Sequence, residues 1–263
     1  MTMQKKEMPF MNVVAGSTAS LSLPCGPTYE RLYLRMTGTT FNKTHITDIR
    51  VKVNGKLIHQ ADGITLEAFN AYSGMATDAN ILTVDFTEIF ARDRVGQSIG
   101  ALGTARGVNS VMLEVDIAGT AVAPTLECWS FTSGPADIGV LNKLLKYPVN
   151  IGGAGKWPIA LPYGPNGTMI KRVYIKSANC TGLEIKKNGV VIHDTTKPVN
   201  EFWQKENRKT PQAGFYIFDP ATDNNYDDML RTDNAGSLEF NVYMSGLESI
   251  MVYGEYLDPL ANL

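Results

Sequence analysis

Histidines, cysteines and clustered carboxylates are where chemistry would begin, and this chain has few of the first two: His45, His59, His193, Cys25, Cys128 and Cys180. A cupin-like metal site asks for two histidines two apart on a strand plus a carboxylate, because alternate strand residues share a face. No His-x-His occurs. His59 and His193 each lie shortly after an Asn-Gly pair and read as half-exposed strand histidines, not as ligands or catalysts. The three cysteines are odd in number and far apart, so they make no disulfide framework. Each reads as a small buried hydrophobe, with a histidine partner in space left open. Gly-x-Ser-x-Gly is missing, and the glycine-rich stretch Gly100 to Gly107 lacks the Gly-Lys-Ser/Thr ending of a phosphate loop. It reads as a loop between strands.

The densest oxygen cluster is Asp223-Asn224-Asn225-Tyr226-Asp227-Asp228. Its Asp-x-Asn-x-Asp opening matches a calcium-binding EF-hand loop. The next position is Asp228 where that loop needs glycine, and the twelfth is Asn234 where it needs glutamate. An EF-hand is therefore unsupported. Asp223, Asn225, Asp227 and Asp228 stay as the ligands a loop calcium site would use, against a plain acidic loop built from Asx turns. No cofactor is required by any motif. The basic pairs Lys171-Arg172, Lys186-Lys187 and Arg208-Lys209 lie beside acidic residues and read as solvated strand faces. Trp129, Trp157 and Trp203 are too widely separated to make a stacking platform, so core or linker packing is their default.

Composition narrows the class. Of 263 residues, 44% are hydrophobic, and 24 basic residues are offset by 26 acidic ones. Disorder and electrostatic nucleic-acid binding are both disfavoured by those values, and no apolar run has the ~18 residues of a membrane span. Lys5 and Lys6 precede the apolar stretch Met8 to Ala15 as in a signal peptide, but Glu7, Pro9 and Asn12 interrupt the layout. A short mobile tail is expected there.

The elements that must position these groups are strands. Leu32, Leu34 and Met36 alternate with charged or polar residues, as do Ile49, Val51 and Val53, then Val111, Leu113, Val115 and Ile117. Leu183 and Ile185, then Leu238, Phe240, Val242 and Met244, repeat the pattern. Asn54-Gly55 and Asn188-Gly189 favour tight hairpins, since both residue types tolerate positive φ. Helical spacing is found over Asp85 to Arg94 (Phe86, Ile89, Phe90) and over Asp137 to Lys146 (Ile138, Leu141, Leu144, Leu145), the latter closed by Pro148. Residues 132–158, with that second helix and Gly152 to Gly155, read as a connection between an N-terminal domain over 1–131 and a C-terminal domain over 159–263.

The two domains are copies. Leu23-Pro24-Cys25-Gly26-Pro27 returns as Leu161-Pro162-Tyr163-Gly164-Pro165, and Arg31-Leu32-Tyr33-Leu34-Arg35 as Arg172-Val173-Tyr174-Ile175-Lys176. Val53 to His59 returns as Lys187 to His193, and Ser110 to Gly119 as Ser237 to Gly246. The order is kept while the offset shrinks along the chain, as loop deletions would make it. Each half suits an eight-stranded sandwich. An all-β chain of two tandem eight-stranded jelly-roll sandwiches, a double jelly roll with one or two short helices, is expected.

The segments Asn12 to Gly16, Leu23 to Glu30, Leu34 to Gly38 and Ile49 to Leu57 resemble the N-terminal domain of the double jelly-roll viral major capsid proteins. The likeness continues through Ala101 to Thr104 and the strand ending at Ile117, then more weakly at Leu161-Pro162 and Lys171 to Ala178. The loops Asp62 to Ala79 and Lys197 to Gln212 do not match. The resemblance implies a structural protein of a bacteriophage virion, made in the host cytoplasm, without enzymatic activity. It implies a homotrimer forming a pseudo-hexameric capsomer, with neighbouring capsomers in an icosahedral capsid over an internal membrane. Penton or vertex proteins and minor membrane-associated capsid proteins are implied partners, and Met1 to Met11 is expected to touch the internal lipid membrane. Direct sequence-specific nucleic-acid binding is not expected. Calcium stabilisation is expected from the resemblance, with no ligand inherited. Since fold alone does not decide function, a tandem carbohydrate-binding module, lectin-like or receptor-binding, is the alternative, and a cupin-type enzyme a weaker third.

Overall fold

The computed structural model describes residues 2–164 and 167–262. Met1 and Pro165, which belong to the expected tail and to the second Leu-Pro-x-Gly-Pro copy, lie outside the described residues. The chain divides into two compact units, Met1–Leu144 and Leu145–Asn262.

The first unit runs β1 (Met3–Lys6), β2 (Thr18–Leu23), β3 (Thr28–Thr37), β4 (Ile46–Val53), β5 (Lys56–Ala61), α1 (Gly63–Ser73), β6 (Ile81–Asp85), α2 (Arg94–Ser98), β7 (Leu102–Gly103), β8 (Val111–Ile117) and β9 (Thr125–Ser133). One sheet has the order β1-β9-β3-β6, with β7 also on β3, and the other holds β5-β4-β8-β2. β10 (Val140–Ile151) crosses the division, and its Leu144 pairs in parallel with His59 of β5. The second unit continues with β11 (Gly155–Ile159), β12 (Met169–Lys176), β13 (Cys180–Lys187), β14 (Val190–Thr196), α3 (Lys197–Glu206), β15 (Phe215–Phe218), β16 (Leu230–Arg231), β17 (Leu238–Met244) and β18 (Glu248–Pro259). Its sheets are β10-β18-β12-β15, with β16 on β12, and β14-β13-β17-β11. The two orders superimpose strand for strand. Each unit is a jelly-roll sandwich of two four-stranded sheets plus one two-residue strand.

The alternating residues face inward as their spacing requires. Leu32, Leu34, Val51, Leu113, Val115 and Cys128 are buried in the first unit, and Val173, Ile175, Leu183, Ile185, Phe240 and Val242 in the second. Each such side chain contributes about 1.5–3 kcal/mol by leaving water.

Three local expectations are corrected. Over Asp137 to Lys146 no helix forms: β10 takes that place. Its apolar residues fit a helix up to Leu145, but Leu145, Tyr147, Val149 and Ile151 alternate, and Pro148 sits within the strand instead of ending a helix. Asp85 to Arg94 is not helical either. Asp85 ends β6 and its carboxylate accepts hydrogen bonds from the Thr87 amide (3.1 Å) and hydroxyl (2.8 Å), which turns the chain. The short helix α2 starts only after Asp93, whose carboxylate accepts from the Gly96 amide at 2.7 Å. Finally, the N-terminus is a strand and not a mobile tail. β1 pairs antiparallel with β9 from Met3↔Thr132 to Lys6↔Trp129. Glu7 donates its amide to Cys128 O at 2.9 Å, and Phe10 is buried.

Candidate functional site

The histidines are not gathered. His45 closes a single 3-10 turn, Lys43–His45, capped by Asn42. His59 is buried on β5, and His193 lies on β14 with its Nε2 2.8 Å from the Tyr216 hydroxyl. Burial pushes the His193 imidazole below its ordinary range, the reverse of what a proton-collecting site needs. Cys128 and Cys180 are buried as expected, and burial pushes their thiols up to about 12 and about 11. Cys25 is exposed, because it sits in the turn between β2 and β3 and not on an inward strand position.

The acidic loop is tied to itself. The Asn225 amide donates to Asp223 Oδ1 at 3.0 Å, and the Asn225 side-chain amide donates to Asp228 Oδ2 at 2.9 Å. A 3-10 turn, Tyr226–Asp228, carries the Tyr226 hydroxyl down to accept from Arg172 at 2.9 Å. Asn225 thus turns an N–H toward its acidic neighbour, where a calcium site would use an oxygen. Among the described residues, no group of three or more His, Cys, Asp or Glu side chains is placed to hold a metal ion. The glycine-rich stretch holds the short strand β7, and Thr104 beyond it accepts from the Gly26 amide and donates to Pro27 O.

Two of the basic pairs differ from expectation. Lys171, Arg172 and Lys209 are buried, not solvated. The Arg172 guanidinium meets Asp219 at 3.0 Å and Glu255 at 3.1 Å, Lys171 meets Glu255 at 2.7 Å, and Lys209 donates to Asn224 at 2.7 Å. The carboxylates of Asp219 and Glu255 make the burial of Lys171 and Arg172 tolerable. Trp203 is the exception among the tryptophans: it is 53% exposed on α3.

What the structure does bring together is one set of devices, built twice. β3 bulges against β9 between Tyr29 and Arg31, and β12 bulges against β18 between Ile170 and Arg172. After each bulge comes an arginine paired with an aspartate at the end of the neighbouring strand: Arg31 with Asp85 at 3.8 Å, Arg172 with Asp219 at 3.0 Å. Burial pushes the Asp85 carboxyl up to about 6, against the pull of Arg31 and Thr87. β5 against β4 and β14 against β13 share a second bulge, placed at Ile58 and Ile192.

The hairpin asparagines are a third device. Asn54 and Asn188 have φ of 51° and 52°. Asn54 Oδ1 accepts from the amides of Asn109 (2.7 Å) and Ser110 (3.3 Å), and its Nδ2 donates to Gly107 O at 2.8 Å. Asn188 Oδ1 accepts from Gly236 (2.7 Å) and Ser237 (3.2 Å), and its Nδ2 donates to Asn234 O at 3.0 Å. Each pins its hairpin to the loop entering the next strand. The bonds these groups make are to carboxylates, backbone amides and backbone carbonyls of their own chain. Their chemistry is the holding of a shape.

The comparisons agree. A family model described as the viral coat protein P2 N-terminal domain matches residues 4–133, and one described as the viral coat protein P2 C-terminal domain matches 141–260. The major capsid protein P2 of Pseudoalteromonas phage PM2 is 27% identical over 220 residues, covering 79% of this chain and 78% of that protein. The crystal structure of the major capsid protein P2 from bacteriophage PM2 aligns with a TM-score of 0.90 at 23% identity, over 98% of each chain. The STIV MCP aligns with a TM-score of 0.72 at 12% identity, over 99% of this chain and 97% of that one.

Proposed function

The chain belongs to the viral coat protein P2 family and is a structural major capsid protein of the virion, and from that premise we propose that it works as a trimer. The observation that carries this reading is the duplication. Two sandwiches in one chain, with bulges and ion pairs at matching places, let three chains present six similar blocks. Such a tile has nearly sixfold outline from threefold symmetry, which packs an icosahedral lattice. Near-balanced charge (24 basic, 26 acidic) limits repulsion between laterally packed copies. Neighbouring capsomers, vertex proteins and minor membrane-associated proteins complete the shell in this reading. The shell encloses a lipid membrane, the chain is made in the host cytoplasm, and no metal is needed for the trimer.

Light scattering after gel filtration tests it. The expected mass is three times 28.8 kDa, unchanged by a calcium chelator. A single-chain mass in every buffer would sink the trimer. Loss of the trimer on chelation alone would return Asp223, Asn225, Asp227 and Asp228 as candidate ligands.

A further inference from the structure

The two units differ sharply at one matched place. In the first unit, the edge strand β5 has a neighbour at one point: Leu144 of β10 pairs with His59, and the bulged Ile58 is 1% exposed. In the second unit the matching strand β14 ends its sheet, and no strand lies on its outer side among the described residues. Its bulged Ile192 is 46% exposed, and Val190 and Val191 beside it are exposed too. An open edge is normally guarded by lysine, proline or charge. The exposed start of β14 carries none of these: it is Val190-Val191-Ile192.

The helix next to this edge is built inside out. Its buried residues are Asn200 and Gln204, whose side-chain amides both donate to Ile217 O, at 2.7 and 2.8 Å. Its apolar residues Val199, Phe202 and Trp203, at the i, i+3, i+4 spacing of one face, point to solvent, with Phe202 64% exposed. Ile192 and Trp203 line one depression, so strand edge and helix face are continuous. All six apolar residues, Val190, Val191, Ile192, Val199, Phe202 and Trp203, are at least 46% exposed, and a contiguous apolar patch of this kind marks an interaction surface.

We propose that the β14 edge and the outer face of α3 are the docking surface for a second copy of this chain, which lays its strand β1 along β14. The choice of β1 follows from the repeat. β5 meets β10 at the pair Leu144–His59, β10 borders β18 as β1 borders β9, and β1 has no strand on its other edge among the described residues. The contact joins unlike surfaces, one from each unit, and a contact of that kind closes into a ring when the rotation allows. This inference rests on the coat-protein reading and names the surface by which its trimer forms.

The test compares full-length variants by light scattering and circular dichroism. Phe202→Lys with Trp203→Glu should drop the mass threefold, to one chain, while the strand signal and its melting are kept. Val95→Lys, a still more exposed apolar residue on α2, should leave the trimer intact. A second measurement guards against misfolding. In a Cys25→Ser background, Gln4→Cys protein is mixed with Val191→Cys protein, dissociated and reassociated, and treated with a short bismaleimide. A cross-linked pair should form only in the mixture. A Phe202→Lys/Trp203→Glu protein that stays trimeric, or a mixture that gives no cross-link, overturns the docking surface while leaving the coat-protein reading in place. A wild-type chain that is monomeric throughout overturns the trimer itself.

Discussion

At the scale of single residues, the molecule depends on polar groups that sit where two strands must be told how to meet. Asn188 is the clearest. Its positive φ suits asparagine or glycine, and its side chain holds the loop before β17. Asn188→Ala should cost about 2 kcal/mol, from lost hydrogen bonds and a strained backbone together. Asn188→Gly keeps the backbone at ease and should cost about half of that. A urea midpoint that falls with unchanged slope checks both, and equal losses would show that the backbone strain contributes nothing. Asp85 gives a pH signature. Its carboxyl is raised to about 6 by burial, so the folded state holds a proton that the unfolded state has released. Stability from this group is therefore full below the unfolded value near 4 and is lost as pH rises toward 6, by about 3 kcal/mol. The difference in stability between wild type and Asp85→Asn, measured from pH 4 to pH 7, should trace that loss. A difference that is flat with pH would show an ordinary carboxylate.

At the scale of elements, the strands were legible and the helices were not, for one physical reason. A half-buried strand writes its burial into alternate residues, so Val111 to Ile117 and Leu238 to Met244 could be read directly. The helices α1 and α3 write their burial less plainly: α1 buries Thr65 and Asn70 beside Leu66 and Phe69, and α3 turns its apolar Val199, Phe202 and Trp203 outward. In α3 the buried positions are polar, and in α1 Asn70 reaches from the buried side to donate to Thr83 O at 2.9 Å. These two helices are themselves a repeat, each leading from one hairpin to the strand that pairs with β3 or β12, and each using a buried asparagine on that strand's carbonyl. Sequence comparison missed them because what is kept is a hydrogen bond, not a residue pattern. Asn70→Ala should cost about 1–3 kcal/mol in thermal or urea unfolding. Asn200→Ala should cost less, since Gln204 still donates to Ile217 O; a larger loss at Asn200 would mean the second donor is no substitute. The candidate site was legible only as an absence of catalytic groupings. The Arg31–Asp85 and Arg172–Asp219 pairs lie too far apart in sequence for spacing to join them, and only the arginines fell inside the visible repeat.

At the scale of the whole molecule, duplication distributes stability over two cores. Asn54 and Asn188 belong to different units and share no partner, so Asn54→Gly combined with Asn188→Gly should lose the sum of the single losses, within about 0.5 kcal/mol. A marked departure, read by urea unfolding, would mean that the pins communicate. The pairing of β1 with β9 carries a different consequence, in the time domain. Met3 is synthesised well before its partner Thr132, which comes near the end of the first unit. At ribosomal speeds of 5–20 residues per second, β1 waits on the order of 10 s before its place in the sheet exists. During that interval the nascent chain presents unfinished sheet edges while the second unit is still unmade, so the chain is most open to aggregation while it is still on the ribosome.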